Sequence, residues 1–592
     1  MLELILNKTS PKAIILRDVD SILCTGAIVA EEFFPDECYD ERKVTSFVPE
    51  IYAIGEAFES LRNSYKISFK KEKNRDMMAL IQGTNTKGDE NFNITSNNLL
   101  QEQIHANNIK KSGLTLTLEE QNVLQGKDTH ESMTSRAKTL AMRTIVRVTF
   151  VSLQSTNTLT ELMPIKSAHI DGVTFIGLGG LRFVEELVRL GGTVEVPTSL
   201  NSQSVDRRRW KDLGVNPDFA ANANRVGDAY LKLGCELSFT CAPYLIPTST
   251  PSFGDQIMWG ESNAVVYANS VLGARTEKYA DYFDICAAII GKIPMTGVHL
   301  EENRQPGIIL DASDLVADIF FDEGYDTTDI DSFFPTMGWL CGNLSDGKVP
   351  LILGFDQIHS ITDDDLKSFC AAYGTTGTAP LFHMAGVTPE ASDDNIVKKM
   401  ILSIDEGQTK CLGMHQLKES YETLNGFQDS ADAVDSSAEK VDLVAFGNPH
   451  LSVSEIKSLV DLIQKDDKPK HENTEVLATL SRTIHERASK LGYIKILEDF
   501  GVKFVNDTCW CMMTDEPIIP PSKSATIMTN SAKYAHYGVG LTQRKLRFGS
   551  MNDCVSVAKD GMRHLNPCHN LNFPLWLKSS TRSFITLVKR VR

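Results

Sequence analysis

The sequence predicts an α/β protein: a large, multi-layer α/β region preceded by a smaller segment of the same texture. Three observations carry this expectation. Across most of the chain, short apolar runs alternate with amphipathic stretches, the pattern of helices covering a largely parallel sheet. The length of 592 residues allows a substantial buried core spread over several domains. The composition, 42% hydrophobic and 23% charged, is that of an ordinary globular protein rather than a fibrous or membrane-embedded one.

The elements follow in order. Ala13-Ile14-Ile15-Leu16 reads as a strand. Asp18-Val19-Asp20-Ser21 supplies helix N-cap candidates, and an apolar stretch from Ile22 to Phe33 reads as the helix they start. Residues 70–112 are rich in Lys, Asn, Gln and Thr and poor in large apolar side chains, so they read as a polar linker or insertion. From Leu114 the alternation sets in: Gly172 to Ile176 as a strand, Leu181 to Leu190 as a helix, Thr193 to Val196 as the next strand. A polar break from Glu419 to Lys440 reads as a loop or a subdomain boundary, and residues 563–592 as an irregular tail with a basic end. No internal repeat is visible.

The net charge of −17 argues against nucleic acid as a partner, since phosphate contacts need clustered cations. The one local exception, Lys70, Lys71, Lys73 and Arg75, reads as a solvated run in the polar segment. No apolar run reaches the roughly 18 residues a membrane span needs, and Met1 to Asn7 do not form a secretory signal. Twelve scattered cysteines lack the spacing of a disulfide scaffold. The expectation is a cytoplasmic protein with reduced thiols, some of them free to bind metal.

Chemistry-bearing side chains cluster in several places. The densest is Cys235 to Tyr244, with Thr240 and Cys241, followed by Trp259-Gly260-Glu261-Ser262-Asn263-Ala264. Carboxylate, hydroxyl, amide and thiol groups beside Gly and Pro suit a binding loop on a rigid frame; caps and small core residues are the alternative. Arg275, after Gly273, could clamp a substrate carboxylate through paired hydrogen bonds, or pair with Asp281 or Asp284. His169 and Asp171 set an imidazole and a carboxylate two residues apart. Asp507-Thr508-Cys509-Trp510-Cys511 is followed by Met528-Thr529-Asn530-Ser531-Ala532-Lys533. The Cys-x-Cys pair has no second pair at zinc-finger spacing, so a structural zinc is not expected. Cysteines from separate strands could instead meet around iron. Gly177-Leu178-Gly179-Gly180 does not complete a dinucleotide fingerprint, because position 182 is Arg.

Taken together, these strings resemble the aconitase X family. The resemblance rests on Lys166 to Gly172, Thr240 to Tyr244, Trp259 to Ala264, Ala268 to Thr276, Asp284 to Ala288 and Leu381 to Ala391. It continues through Gly447 to Ser452, Asp507 to Cys509, Met528 to Lys533 and Phe548 to Ser550. It implies a large catalytic region at 113–562 and a small swivel domain, of which residues 1–69 resemble the second half. The first half, which in the family carries a Gly-Arg-Gly-Ser-type loop, is not found in the sequence.

The resemblance further implies an iron-dependent hydro-lyase acting on a small hydroxy acid: cis-3-hydroxy-L-proline, with mevalonate 5-phosphate as the alternative. A non-catalytic binding protein on a decayed dehydratase fold is the reading from another class. The implied catalytic residues are His169, Glu261 and Lys533. Those implied to bind substrate are Asp171, Tyr244, Ser262, Asn263, Arg275, Asn530 and Ser531. Cys241, Cys286 and Cys509 are the implied ligands of the iron, whether an iron–sulfur cluster or a mononuclear ion. Where some relatives read Gly-Cys-Pro-His, this chain has Asn448. The partners expected are the hydroxy acid and either a separate small subunit or a second copy of the chain, with neither nucleic acid nor membrane.

Overall fold

The computed structural model describes residues 1–8, 10, 13–16, 21–35, 39–40, 45–46, 50–53, 65–71, 78–85, 91–97, 114–127, 135–153, 160–321, 329–426, 438–564 and 573–578. These form two compact units. The first comprises 1–198, 228–235 and 279–296; the second comprises 199–227, 236–278 and 297–592. The fold is mixed α/β, with parallel sheets in the second unit.

In the first unit the strand Ala13–Leu16 forms as expected, parallel to Glu50–Ala53, and is followed by the helix Ser21–Phe33. The helix Arg136–Leu153 packs against both Ser21–Phe33 and Phe283–Ile290. The segment read as a polar linker or insertion contains strands. Tyr65–Lys71, Met78–Asn85 and Asn91–Asn97 make an antiparallel meander. Lys73 and Arg75 lie outside the described residues.

Two expected strands do not form. Gly172 to Ile176 is a turn: the Asp284 carboxylate takes the N–H groups of Asp171 (2.8 Å) and Gly172 (3.2 Å), so these donors are spent on a side chain. Thr193 to Val196 is irregular, because Val194 and Glu195 donate to the carbonyls of Leu233 and Ala288. The strands there are Ala168–Ile170 and Thr198–Leu200. The helix between forms over Leu178–Arg189.

The second unit holds two parallel sheets. One orders His383–Met384, Pro350–Leu353, Ile308–Asp311 and Thr409–Cys411. The other is five-stranded: Val502–Asn506, Glu475–Leu480, Leu443–Phe446, Thr526–Thr529 and Lys545–Phe548, in that spatial order. The chain therefore starts this sheet in the middle, at Leu443–Phe446, winds to one edge, then returns to Thr526–Thr529 and winds to the other. The strand order reverses between these two neighbours. Such a reversal opens a crevice at the carboxyl ends of the strands, where open parallel sheets bind ligands. The strand Leu443–Phe446 is buried throughout, as a strand covered on both faces must be.

The polar break resolves into the helix Met414–Leu424 and the strand Ala438–Lys440; residues 427–437 lie outside the described set. The tail read as irregular is anchored at one point. Trp576, on the short helix Leu575–Lys578, is buried against Phe333 and donates from Nε1 to Asp329 O and Ser332 Oγ. The basic end of the chain lies outside the described residues.

Candidate active site

The loops at the carboxyl ends of the five-stranded sheet carry most of the candidate residues. Phe446 leads to Gly447-Asn448-Pro449-His450, Asn506 to Asp507-Thr508-Cys509-Trp510-Cys511, and Thr529 to Asn530-Ser531-Ala532-Lys533. Each loop is fixed locally. Gly447 has φ +95° and lies so close to the next strand that a Cβ would stand 2.2 Å from Thr479 O, so only glycine fits. The Asp507 carboxylate, fully buried, is held by both guanidinium arms of Arg482 at 2.6 Å. Ser531 caps the helix Ala532–Thr542 by accepting from Tyr534 N–H (3.1 Å) and donates its hydroxyl to Asn448 O.

At the centre is a buried ion pair. Lys533, in the first turn of Ala532–Thr542, donates to Glu261 Oε1 at 2.6 Å. Glu261 is itself the N-cap of the helix Ser262–Ser270, and its side chain faces Asn263 N–H. Asn263 Nδ2 also donates to Glu261 Oε1 (2.7 Å), and Asn201 Nδ2 donates to Oε2 (3.0 Å). Burial opposes the charge on Glu261, but the Lys533 ammonium and these amides outweigh it and hold the carboxyl well below the usual carboxylate range. The lysine shows the reverse balance: burial opposes its charge, and Glu261 with nearby thiols keeps it an ammonium. Asn263 is oriented in turn by Tyr244, whose hydroxyl donates to its Oδ1 (2.9 Å) and whose ring stacks on Tyr267.

Beside the pair stand three thiols. Cys509 hydrogen-bonds to both Cys241 and Cys511. Burial raises the Cys241 thiol, but Cys509, His450 and Lys533 together pull it well below its ordinary value. Cys511 is lowered by its bond to Cys509 and by Lys533, and it accepts from Asn448 Nδ2 (3.3 Å). His450 is locked by its surroundings. Its Nε2–H donates to Thr508 O (2.8 Å), so Nδ1 accepts the Thr240 hydroxyl (3.0 Å). Its backbone N–H donates to Cys241 Sγ (3.3 Å).

The donor chemistry fits iron. Cys241 and Cys511 are drawn toward the thiolate, while Cys509, bonded to both and buried, is pushed well up as the thiol that donates to them. Clustered buried cysteines are preferred protein ligands of iron. Asn448 Oδ1 and Thr508 Oγ1, both buried, have no hydrogen-bond partner among the described residues. As they stand, no three of the described His, Cys, Asp and Glu side chains surround a common point at metal-ligating distance. The thiols instead bond to one another in a chain through Cys509, and it is the donor set, not its present arrangement, that suits a metal.

Of the candidates read from sequence, the second unit brings together Cys241, Tyr244, Glu261, Ser262, Asn263, Cys509, Asn530, Ser531 and Lys533. The third thiol beside Cys241 and Cys509 is Cys511, not Cys286. Cys286 lies in the first unit on Phe283–Ile290, where burial pushes its thiol up and Thr144 hydrogen-bonds to it. Arg275 is engaged elsewhere: it pairs with Glu301, and neither with Asp281 nor with Asp284, and donates to His299 O (3.2 Å). His169 and Asp171 belong to the first unit, His169 fully buried on Ala168–Ile170. Sequence reasoning missed Asn201 and His450. The loop-forming string Gly447-Asn448-Pro449-His450 after an apolar strand was the available signal for the second; Asn201 had none.

Sequence models of the aconitase X first, second and third domains match residues 113–302, 317–411 and 441–560. A cis-3-hydroxy-L-proline dehydratase of Pseudomonas aeruginosa is 38% identical over 565 residues, 95% of this chain and 85% of that protein. One of Hypocrea jecorina is 36% identical over 569 residues, 95% of this chain and 84% of that protein. The phosphomevalonate dehydratase large subunit of Methanocaldococcus jannaschii is 32% identical over 410 residues, 68% of this chain and 93% of that protein. The crystal structure of Thermococcus kodakaraensis aconitase X in its holo-form superposes with a TM-score of 0.59 at 28% identity, covering 75% of this chain and 99% of that one.

Proposed function

The chain belongs to the aconitase X family, and on that premise we propose that it is a hydro-lyase converting cis-3-hydroxy-L-proline to Δ1-pyrroline-2-carboxylate. The observation that carries the substrate is the extent of likeness. It runs through nearly the whole chain for the cis-3-hydroxy-L-proline dehydratases and through about two thirds of it for the phosphomevalonate dehydratase large subunits. Mevalonate 5-phosphate is the second reading. A decayed, non-catalytic fold is disfavoured by the Glu261–Lys533 pair, whose strongly perturbed groups stand beside a cavity, where catalytic acids and bases cluster.

Dehydration requires removal of the proton on C2, departure of the C3 hydroxyl as water, and cationic stabilisation of the carboxylate as charge builds on it. The C2=C3 enamine so formed loses its nitrogen proton and gains one at C3 to become Δ1-pyrroline-2-carboxylate. Glu261, held ionised, is the group that can accept the proton. Lys533, held as an ammonium, is the group that can meet the substrate carboxylate. Asn263, Asn201 and Tyr244 fix the direction of the Glu261 carboxylate. Cys241, Cys509 and Cys511 would hold iron, which when bound supplies a Lewis acid for the leaving hydroxyl. Free thiols throughout the described residues suit a reducing, cytosolic setting, and no described helix is long and apolar enough to cross a membrane.

The test is to purify the protein with iron and follow pyrroline-2-carboxylate formation in the wild type and in Lys533→Ala and Cys509→Ala. Losses of at least about a hundredfold in kcat are expected for both, the scale of a removed acid–base or electrostatic group. Undiminished turnover removes that residue from the scheme.

A further inference from the structure

A cavity of about 650 Å³ opens beside Lys533. Its lining includes Asn448, Asn530 and Ser531, and also side chains to which the scheme above gives no role: Asp331, Asp363, Asp364, Asp365, Lys367, Glu455 and Asp461. Six carboxyl groups and two lysines line the wall, and among the described residues no arginine does. Burial pushes the Asp331 and Glu455 carboxyls up to about 7 and raises Asp365, so Asp363, Asp364 and Asp461 carry the wall's negative charge. Each lysine has a carboxylate partner. Lys533 is matched by Glu261, and Lys367 by Glu455 and by Asp364 at 3.3 Å.

Five helices begin at this cavity, and their first turns differ; that of Phe333–Leu344, with Pro335 on the wall, carries no charge. Asp363–Thr376, Val453–Ile463 and Met551–Asp560 each carry acids there, which answer the positive end of the helix dipole. The fifth, Ala532–Thr542, has no acid in its first turn and places Lys533 in it. One end of the cavity is therefore suited to an anion and the rest of its wall to a cation. Next to the anion-suited end lies Asn448. It is 5% exposed, its Nδ2 is spent on Cys511, and its Oδ1 is a buried acceptor without a partner. An acceptor so placed calls for an N–H or O–H donor on whatever binds.

We propose that this cavity selects a zwitterion: it takes the substrate carboxylate at the N-terminus of Ala532–Thr542 and its ring ammonium against Asn448 and the acidic wall, and it rejects phosphate esters. The inference rests on the reading of the protein as a hydroxyproline dehydratase and supplies that reading with its discriminating residues. A phosphate needs unmatched cations or bare helix N-termini. Here it would meet Asp363, Asp364 and Asp461, a like-charge arrangement that rejects the wrong ligand more than it favours the right one.

The experiment is calorimetric binding to the purified full-length protein of three probes: cis-3-hydroxy-L-proline, its analogue with oxygen in place of the ring nitrogen, and mevalonate 5-phosphate. The amino acid should bind at least about tenfold more tightly than the ring-oxygen analogue, and the phosphate ester most weakly. The double variant Asp331→Asn, Asp363→Asn should narrow both gaps. It retains the acceptor for Met551 N–H, the one hydrogen bond recorded for Asp331. Equal binding of the amino acid and its oxygen analogue by the wild type overturns the proposal without recourse to a variant, and turnover of cis-3-hydroxy-L-proline alongside it leaves the dehydratase reading standing. Preference for the ammonium without turnover leaves the cavity assignment and removes the activity. Tightest binding of mevalonate 5-phosphate overturns both.

Discussion

Glu261 and Lys533 each lose hydration on burial, and each regains it only through the other and a few amides. Taking two such charges out of water costs several kcal/mol per ion, and their mutual attraction about offsets that cost. The pair is therefore best understood by what it presents: a carboxylate that stays ionised and an ammonium that stays protonated, 2.6 Å apart. A different carboxyl follows the opposite rule. Burial, with Asp281 adding to it, pushes the Asp284 carboxyl up to about 7, against the N–H groups of Gly172, Ile285 and Asp171. Between pH 4 and 7 the unfolded chain has lost this proton and the folded protein keeps it, so the folded state binds more protons and its stability falls as pH rises through that window. The full effect is on the order of 4 kcal/mol. Urea unfolding at pH 4.5 and pH 8 should show the wild type losing stability relative to Asp284→Asn as pH rises. Parallel pH profiles for the two proteins would show that the carboxyl is ionised throughout.

Among the elements, the loop after Leu443–Phe446 matters most, because one turn places Asn448 beside a thiol and His450 beside another. Its geometry depends on Gly447, at φ +95° and within 2.2 Å of Thr479 O for any added Cβ. Gly447→Ala should cost about 1–3 kcal/mol in urea unfolding and lower iron retention, since strain at the turn shifts both following side chains. Unchanged stability together with full iron content would mean the loop tolerates another path. The apolar runs Leu443 to Phe446 and Thr526 to Met528 are legible as buried strands, and the loops that follow them as functional, because polar, Gly- and Pro-bearing strings after such runs sit at strand ends. The misreadings come from the same residue chemistry. Gly172 to Ile176 has the apolar, β-branched texture of a strand, yet a buried carboxylate 112 residues away takes its donors. Cys286 is the third ligand expected from sequence, whereas Cys511 stands beside Cys509; which thiols meet is set by long-range pairing that no local pattern encodes.

Across the whole chain, the alternating texture marks where the three aconitase X domain matches fall, from 113 to 560. It does not reveal that the compact units interleave, with 228–235 and 279–296 returning to the first. Interleaving depends on which distant apolar faces meet, and composition is silent on that. The same holds at the C-terminal end, where Trp576 buries itself with Leu577 and satisfies its indole N–H, a docking that depends on a partner more than two hundred residues earlier in the chain. On the proposed reading, the converging residues carry the dehydration of a small hydroxy acid, and the charge of the cavity beside them distinguishes an amino acid from a phosphate ester. The most direct measurement is a steady-state comparison of cis-3-hydroxy-L-proline and mevalonate 5-phosphate as substrates for the purified, iron-loaded protein. Formation of Δ1-pyrroline-2-carboxylate from the first, with at least about a hundredfold lower kcat/KM for the second, is the predicted result. Dehydration of mevalonate 5-phosphate in preference, or of neither compound by protein with a full complement of iron, would contradict it.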